Sequence, residues 1–147
     1  MLAVPFGEQA LNPSRLESVR ALVAQLERAA ISGVVRIENF AGNFCLENAG
    51  TDGYTLAAPA SPGLARATRS AILSTIQLAD SSRQPVAFAN LASTLRRRTG
   101  GAIELALVSG PRDRLAVAYP PIEQATAGQW NAAAQANNRI EISIVER

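Results

Sequence analysis

Few side chains in this sequence can do chemistry, and their spacing narrows the possibilities further. There is no histidine, which removes Ser-His-Asp and Cys-His catalysis, most zinc sites and the group that usually titrates near neutral pH. Cys45 stands alone, so neither an internal disulfide nor a cysteine-based metal cluster is available to the chain. Within Asn43-Phe44-Cys45-Leu46 it reads as a small buried hydrophobe. Ser109 has no base near it in sequence, and Gly110-Pro111-Arg112-Asp113-Arg114 lacks phosphate-loop spacing. Asp52, Asp80 and Asp113 stand in turn contexts where Asp is common. What is left is arginine: all 14 basic residues are Arg and none is Lys, a bias that arginine-rich codon usage explains. Arg96-Arg97-Arg98 is the only charge cluster. It falls at a predicted helix C-terminus, where each cation gains roughly 0.3–1 kcal/mol against the macrodipole without any ligand. A net charge of +2 and the lack of interleaved aromatics give no ground for a nucleic-acid partner. No enzyme motif, cofactor or metal site is expected.

The elements that must position these residues alternate. Leu2 to Phe6 reads as a short strand, and Asn12-Pro13-Ser14 as a helix start with Asn12 as N-cap. Leu16, Val19, Leu22, Val23 and Leu26 recur at helical spacing up to Arg28, and Gly33 lets the chain reverse. Val34 to Glu38 is a predicted strand. Phe44 to Glu47 and Tyr54 to Ala57 flank a loop rich in Gly, Asn and Asp, which reads as a hairpin. Arg66 to Ala79 is compatible with helix or extended chain. Ser81-Ser82 caps a predicted helix from Arg83 to Arg97, with Pro85 in its first turn, and Gly100-Gly101 ends it. A strand from Ile103 to Val108, a turn at Gly110 to Arg114, a short extension at Leu115 to Tyr119, a helix from about Glu123 to Ala136 and a strand from Arg139 to Val145 complete the reading. Trp130, the only Trp, is expected to pack against the sheet; exposed beside Pro120-Pro121 it would instead mark a docking surface.

Strand-helix alternation in 147 residues with 48% apolar content argues one domain with a single sheet and helices packed on it. No stretch approaches the apolar length of a membrane span, and none reads as a signal peptide.

The two ends carry a resemblance. Gly128-Gln129-Trp130-Asn131, an alanine-rich run, and then Asn137-Asn138-Arg139-Ile140-Glu141-Ile142 resemble the closing signature of OmpA/MotB-like domains, which end in Asn-Arg-Arg-Val-Glu-Ile or something near it. Pro5-Phe6 followed by Leu11-Asn12-Pro13 resembles that family's Phe…Leu-x-Pro opening. The resemblance implies an α/β two-layer sandwich, a βαβ-type OmpA-like domain over residues 1–147 with a β-hairpin inserted at about 43–57. It also implies a periplasmic or cell-envelope location, the missing export signal then meaning an excised domain or a mature fragment, with membrane contact only through segments absent from this chain. Without the resemblance the expected location is cytosolic.

In working members of that family the second strand leads into Gly-His-Thr-Asp, and a later Leu-Ser-x-x-Arg-Ala opens a helix. Their Asp and Arg grip the amino and carboxylate groups of the diamino acid in a peptidoglycan stem peptide. Here Asn39-Phe40-Ala41-Gly42 falls at the first motif, so Phe40 replaces the His and Gly42 the Asp. Glu38 or Glu47 could supply the anion from nearby, although a strand Glu reads first as a solvated outer-face residue. Arg83, at the predicted helix start, or Arg66, in an Arg-Ala pair, stands for the family's Arg, and Arg139 matches the second Arg of the closing motif.

Two functions follow from the resemblance. In the first, the domain is a non-catalytic interaction module of an envelope-spanning machine such as a secretion system or motor. It would then bind other envelope proteins or itself through the hairpin residues Phe44, Leu46, Tyr54 and Leu56. In the second, it binds peptidoglycan non-covalently through an altered site of Arg83, Arg139, Asn39 and Arg66, and restoring Asp at position 42 should strengthen binding.

Overall fold

Asn12 and Pro13 start a helix as their types demand. In the computed structural model, which describes residues 1–48, 54–58 and 85–146, helix α1 runs Pro13–Arg28. The extended Asn12 accepts the Arg15 N–H at 2.8 Å, and Pro13 occupies a first-turn position where a missing N–H costs nothing. Leu16, Val19, Val23 and Leu26 form its buried stripe. The chain reverses three residues earlier than the Gly33 signal suggested. Ala30 takes φ +54°, with Ala30 N–H bonded to Glu27 and Ile31 N–H to Leu26, the paired bonds that close a helix through a left-handed residue. Gly33 serves a different purpose: a Cβ there would lie 2.5 Å from the Val145 carbonyl oxygen.

Four strands form a mixed sheet in the order β1-β6-β2-β5, where β1 is Leu2–Ala3, β2 Gly33–Phe40, β5 Ile103–Ser109 and β6 Arg139–Glu146. β6 lies antiparallel to β2 along the whole strand, from Gly33↔Glu146 to Phe40↔Arg139. On the other side β5 runs parallel to β2, from Gly33↔Ile103 to Asn39↔Ser109. A parallel neighbour requires a long crossover, and that connection contains helix α2, Val86–Arg98. β1 pairs with β6 only at Leu2↔Ile140 and Ala3↔Arg139. The chain's opening and closing segments therefore meet at one edge.

Side chains of a strand alternate between faces, and the register sorts them. Val35, Ile37, Ile103 and Ile140 join Val19, Val23, Leu26, Phe88 and Leu95 in one buried cluster, so α1 and α2 cover this face. Arg36, Glu38, Phe40, Arg139 and Glu141 alternate with them and belong to the opposite face. Gly100 and Gly101, at φ +61° and +85°, end α2 where the glycine pair predicted it. Its last-turn arginines find partners besides the dipole: Arg98 pairs with Glu27 and Arg96 with Glu104.

Several expectations are corrected. α2 begins at Val86, not Arg83, because Pro85 is extended (φ −59°, ψ 144°) and stands at the cap. Helix α3, Ala127–Asn137, also starts late, since Thr126 and Gln129 make a reciprocal capping box. Residues 115–119 form no strand. β3 (Leu46–Asn48) and β4 (Tyr54–Leu56) do pair, as a separate two-stranded sheet, but the expected edge is turned inward. Phe44 and Leu46 are buried at 2% and 3% exposure. Phe44 packs on Phe6 with ring centres 4.9 Å apart, and both residues cluster with Ala134 of α3. Of the four residues expected to face a partner, Leu56 is exposed. Trp130 packs on Tyr119, 4.6 Å between ring centres, and clusters with Cys45, Ala57 and Ala125 instead of with the four-stranded sheet. No helix among the described residues is long and apolar enough to cross a membrane.

Candidate functional site

The carboxyl ends of parallel β2 and β5 stop side by side, at Asn39 and Ser109, and such ends are where open α/β sheets place ligand clefts. A cleft of about 120 Å³ opens there, lined by Asn39, Ser109, Arg112, Arg114, Asn137 and Arg139, with the Phe40 ring and Asn43 completing it. Asn39 and Arg139, both named by the resemblance, are thus brought together. The expectations for Arg66, Arg83 and the Tyr54 side chain lie outside the described residues.

Arg139 begins β6 and is almost completely buried, 3% exposed. Its Nε donates to Glu141 at 2.9 Å, its Nη1 to the Asn137 carbonyl at 3.1 Å and its Nη2 to the Arg114 carbonyl at 3.2 Å. The guanidinium lies over the Phe40 ring, 4.1 Å from its centre. Arg114 reaches back across the sheet to Glu141 at 2.6 Å and Glu38 at 3.4 Å, and it also lies over Phe40, at 5.2 Å. Glu38 further pairs with Arg36 at 3.3 Å. Glu38 and Glu141 are therefore both held by arginines, and no acidic residue is among the described residues lining the cleft. Arg112, exposed at the rim, has no ion pair or hydrogen bond among the described residues. Guanidiniums, amides and a hydroxyl are the groups that hold an oxyanion, the guanidinium fork bidentately.

Position 42, where the resemblance places an acid, cannot carry one in this fold. A Cβ on Gly42 would sit 2.1 Å from the Ala134 carbonyl oxygen and 2.9 Å from its carbon. The Gly42 N–H donates to the Asn138 side chain at 3.0 Å, so the backbone is pressed against the end of α3. Restoring Asp there is corrected from a gain of binding to a steric conflict. Phe40 is similarly enclosed, since a Cβ on Gly110 would come within 2.3 Å of its ring. Glu47, the other proposed source of an anion, instead accepts the Ala58 N–H at 2.7 Å from across the hairpin.

Three asparagines at α3 hold the site's surroundings. Asn131 accepts the Cys45 N–H at 2.6 Å and donates to its carbonyl at 3.1 Å. Asn137 accepts the N–H groups of Ala116 and Val117 and donates back to Val117. Asn138 donates to the Val4 carbonyl at 2.6 Å while accepting from Gly42. The Asn137-Asn138 pair reads in sequence only as a helix stop. The signal for a larger role is that buried amides must find partners, and Asn137 is 2% exposed. Cys45 is buried as expected, and burial, then the nearby Glu47 carboxylate, pushes its thiol above the usual range.

Arg112 and Arg114 were missed by sequence reasoning because a Gly-Pro-Arg-Asp-Arg stretch has the composition of an ordinary polar turn. Only the pairing of Asn39 with Ser109 shows that this turn overhangs the end of β2. No protein-family model, no curated protein and no solved structure matches the chain.

Proposed function

We propose that this chain is a non-catalytic OmpA-like domain of the bacterial cell envelope, and that it binds peptidoglycan stem peptides through their carboxylates at the arginine-lined cleft. The observation that carries the reading is the meeting of Asn39 and Arg139, exactly one hundred positions apart in sequence, in one cleft with Arg112 and Arg114. The neighbouring β1–β6 and β6–β2 pairings join the two ends that carry the resemblance. The two-layer arrangement follows from the same reading, with α1 and α2 forming one layer on the sheet.

The test is sedimentation with purified sacculi, comparing the unaltered chain with Arg112→Glu. Binding that the substitution weakens several-fold supports the reading. Sacculus binding indifferent to Arg112→Glu, or none at all, removes it.

A second reading, protein assembly within an envelope machine, rests on a different surface. The hairpin offers Leu56, but α3 and the Val117-to-Ala125 segment enclose an apolar groove of about 680 Å³ lined by Val117, Pro120, Pro121, Ala132 and Ala136. Val117 is 45% exposed at its rim. Substituting Val117→Glu and Ala136→Glu should abolish assembly with a partner while leaving sacculus binding intact if this groove is the contact.

A further inference from the structure

Resting on the cleft as the binding site, we infer that its ligand is a compact dianion carrying no free ammonium group, a dicarboxylate being the best-fitting chemistry. A zwitterion needs an anion in the site as well as a cation. The position where the resemblance would place that anion is filled by the Ala134 carbonyl, against which Gly42 packs with no room for a Cβ. The two glutamates closest to the cleft are already engaged, Glu38 by Arg36 and Arg114, and Glu141 by Arg114 and Arg139. What the cleft offers is one-sided. Arg112 stands at the rim without an ion pair among the described residues, Arg114 and Arg139 form the wall, and Ser109 lines it too, while the Asn137 amide is already taken by Ala116 and Val117. Arg139 uses three of the five N–H donors of a guanidinium in the bonds described above.

An ammonium brought into this cleft meets guanidiniums and no acidic residue among those lining it, Asp113 standing outside the lining in the same exposed turn, and like charges at close range repel. An amine blocked as an amide, as in a peptide bond, removes that repulsion while keeping both carboxylates. The cleft, with about 120 Å³ of water-accessible space, has room for a short diacid.

A matched series isolates the ammonium. Glutarate, L-glutamate and N-acetyl-L-glutamate share the five-carbon diacid and differ in whether an amine is absent, charged or blocked. Titration calorimetry on the full chain should show glutarate and N-acetylglutamate binding at least about tenfold tighter than glutamate, the effect of one unmatched charged contact. Arg112→Glu should abolish binding of both, and Arg20→Glu on α1 should leave it unchanged. Inorganic phosphate is the arm that names the source: binding of either phosphate or glutarate supports a dianion, and the tighter of the two identifies its kind. Glutamate binding as tightly as glutarate, or dianion binding that survives Arg112→Glu, overturns the inference. Sacculus binding without binding of any of these dianions overturns it while leaving the peptidoglycan reading in place; dianion binding without sacculus binding does the reverse.

Discussion

Arg139 and Phe40 face each other across the antiparallel pair of β6 and β2, the guanidinium carbon 4.1 Å from the centre of the ring. This contact joins the ladder to the cleft, because the same guanidinium ties the Arg114 carbonyl, Glu141 and the end of α3 together. Removing the side chain leaves Glu141 with one cation and two backbone carbonyls without their donor. Arg139→Ala is expected to cost about 1–3 kcal/mol for each buried carbonyl left without its donor, Glu141 keeping Arg114 as its cation. Arg139→Lys should recover only part of it, since an ammonium cannot reproduce the fork. Urea denaturation of both variants measures this; equal stabilities for Arg and Ala would show the network to be ornamental.

Gly42 has no freedom to accept a side chain. Gly42→Ala, the smallest change, forces α3 away from the backbone and is expected to destabilise by about 1–3 kcal/mol or more, as overpacking does. Gly42→Asp should be worse and should not gain ligand affinity. A Gly42→Asp protein that melts like the unaltered chain would mean that this contact yields easily.

Ala30 closes α1 in a left-handed conformation, which costs an L-residue roughly 1–2 kcal/mol. Glycine removes that strain and returns part of the gain through its greater freedom in the unfolded chain. Ala30→Gly is therefore expected to stabilise by about 0.5–1 kcal/mol, visible as a raised melting temperature. A lowered one would rule the strain out.

The Cys45 thiol is held neutral, first by burial and then by the Glu47 carboxylate. Its folded-state value lies above the unfolded one, so the native state keeps the proton that the unfolded chain releases. The contribution is fully present below the unfolded thiol's range and is lost as pH rises through the folded value. Stability should fall with alkaline pH more steeply in the unaltered chain than in Cys45→Ala. Parallel alkaline limbs for the two proteins would contradict the shift. A thiol reagent at neutral pH should also label the native protein slowly and the unfolded protein fast.

Local signals were legible in the sequence and distant ones were not. α1 could be read at both ends because Asn12, Pro13 and the apolar spacing act within a few residues. The glycine pair after α2 did the same. The inward turn of Phe44 could not be read, since its partners, Phe6 and Ala134, lie far along the chain. Asn39 and Arg139 were reached through the resemblance, because its motifs fall on β2 and β6, whose pattern is plain. Arg112 and Arg114 were not, because a turn's composition says nothing of what it overhangs.

The apolar interior of this protein is divided. One cluster binds α1 and α2 to the four-stranded sheet, while two smaller ones hold α3, the hairpin and the Tyr119-to-Ala127 region together. Asparagine amides supply much of the connection between α3 and its surroundings, at Cys45, Val117, Val4 and Gly42. Such side-chain bonds contribute less than a continuous ladder and open independently. Native-state hydrogen exchange should then separate two cooperative units, with the amides of Cys45 and Val117 opening well before those of Val35 and Ile37. The cleft lies on the seam between them, where an occupant touching both sides would lock the looser half to the firmer one.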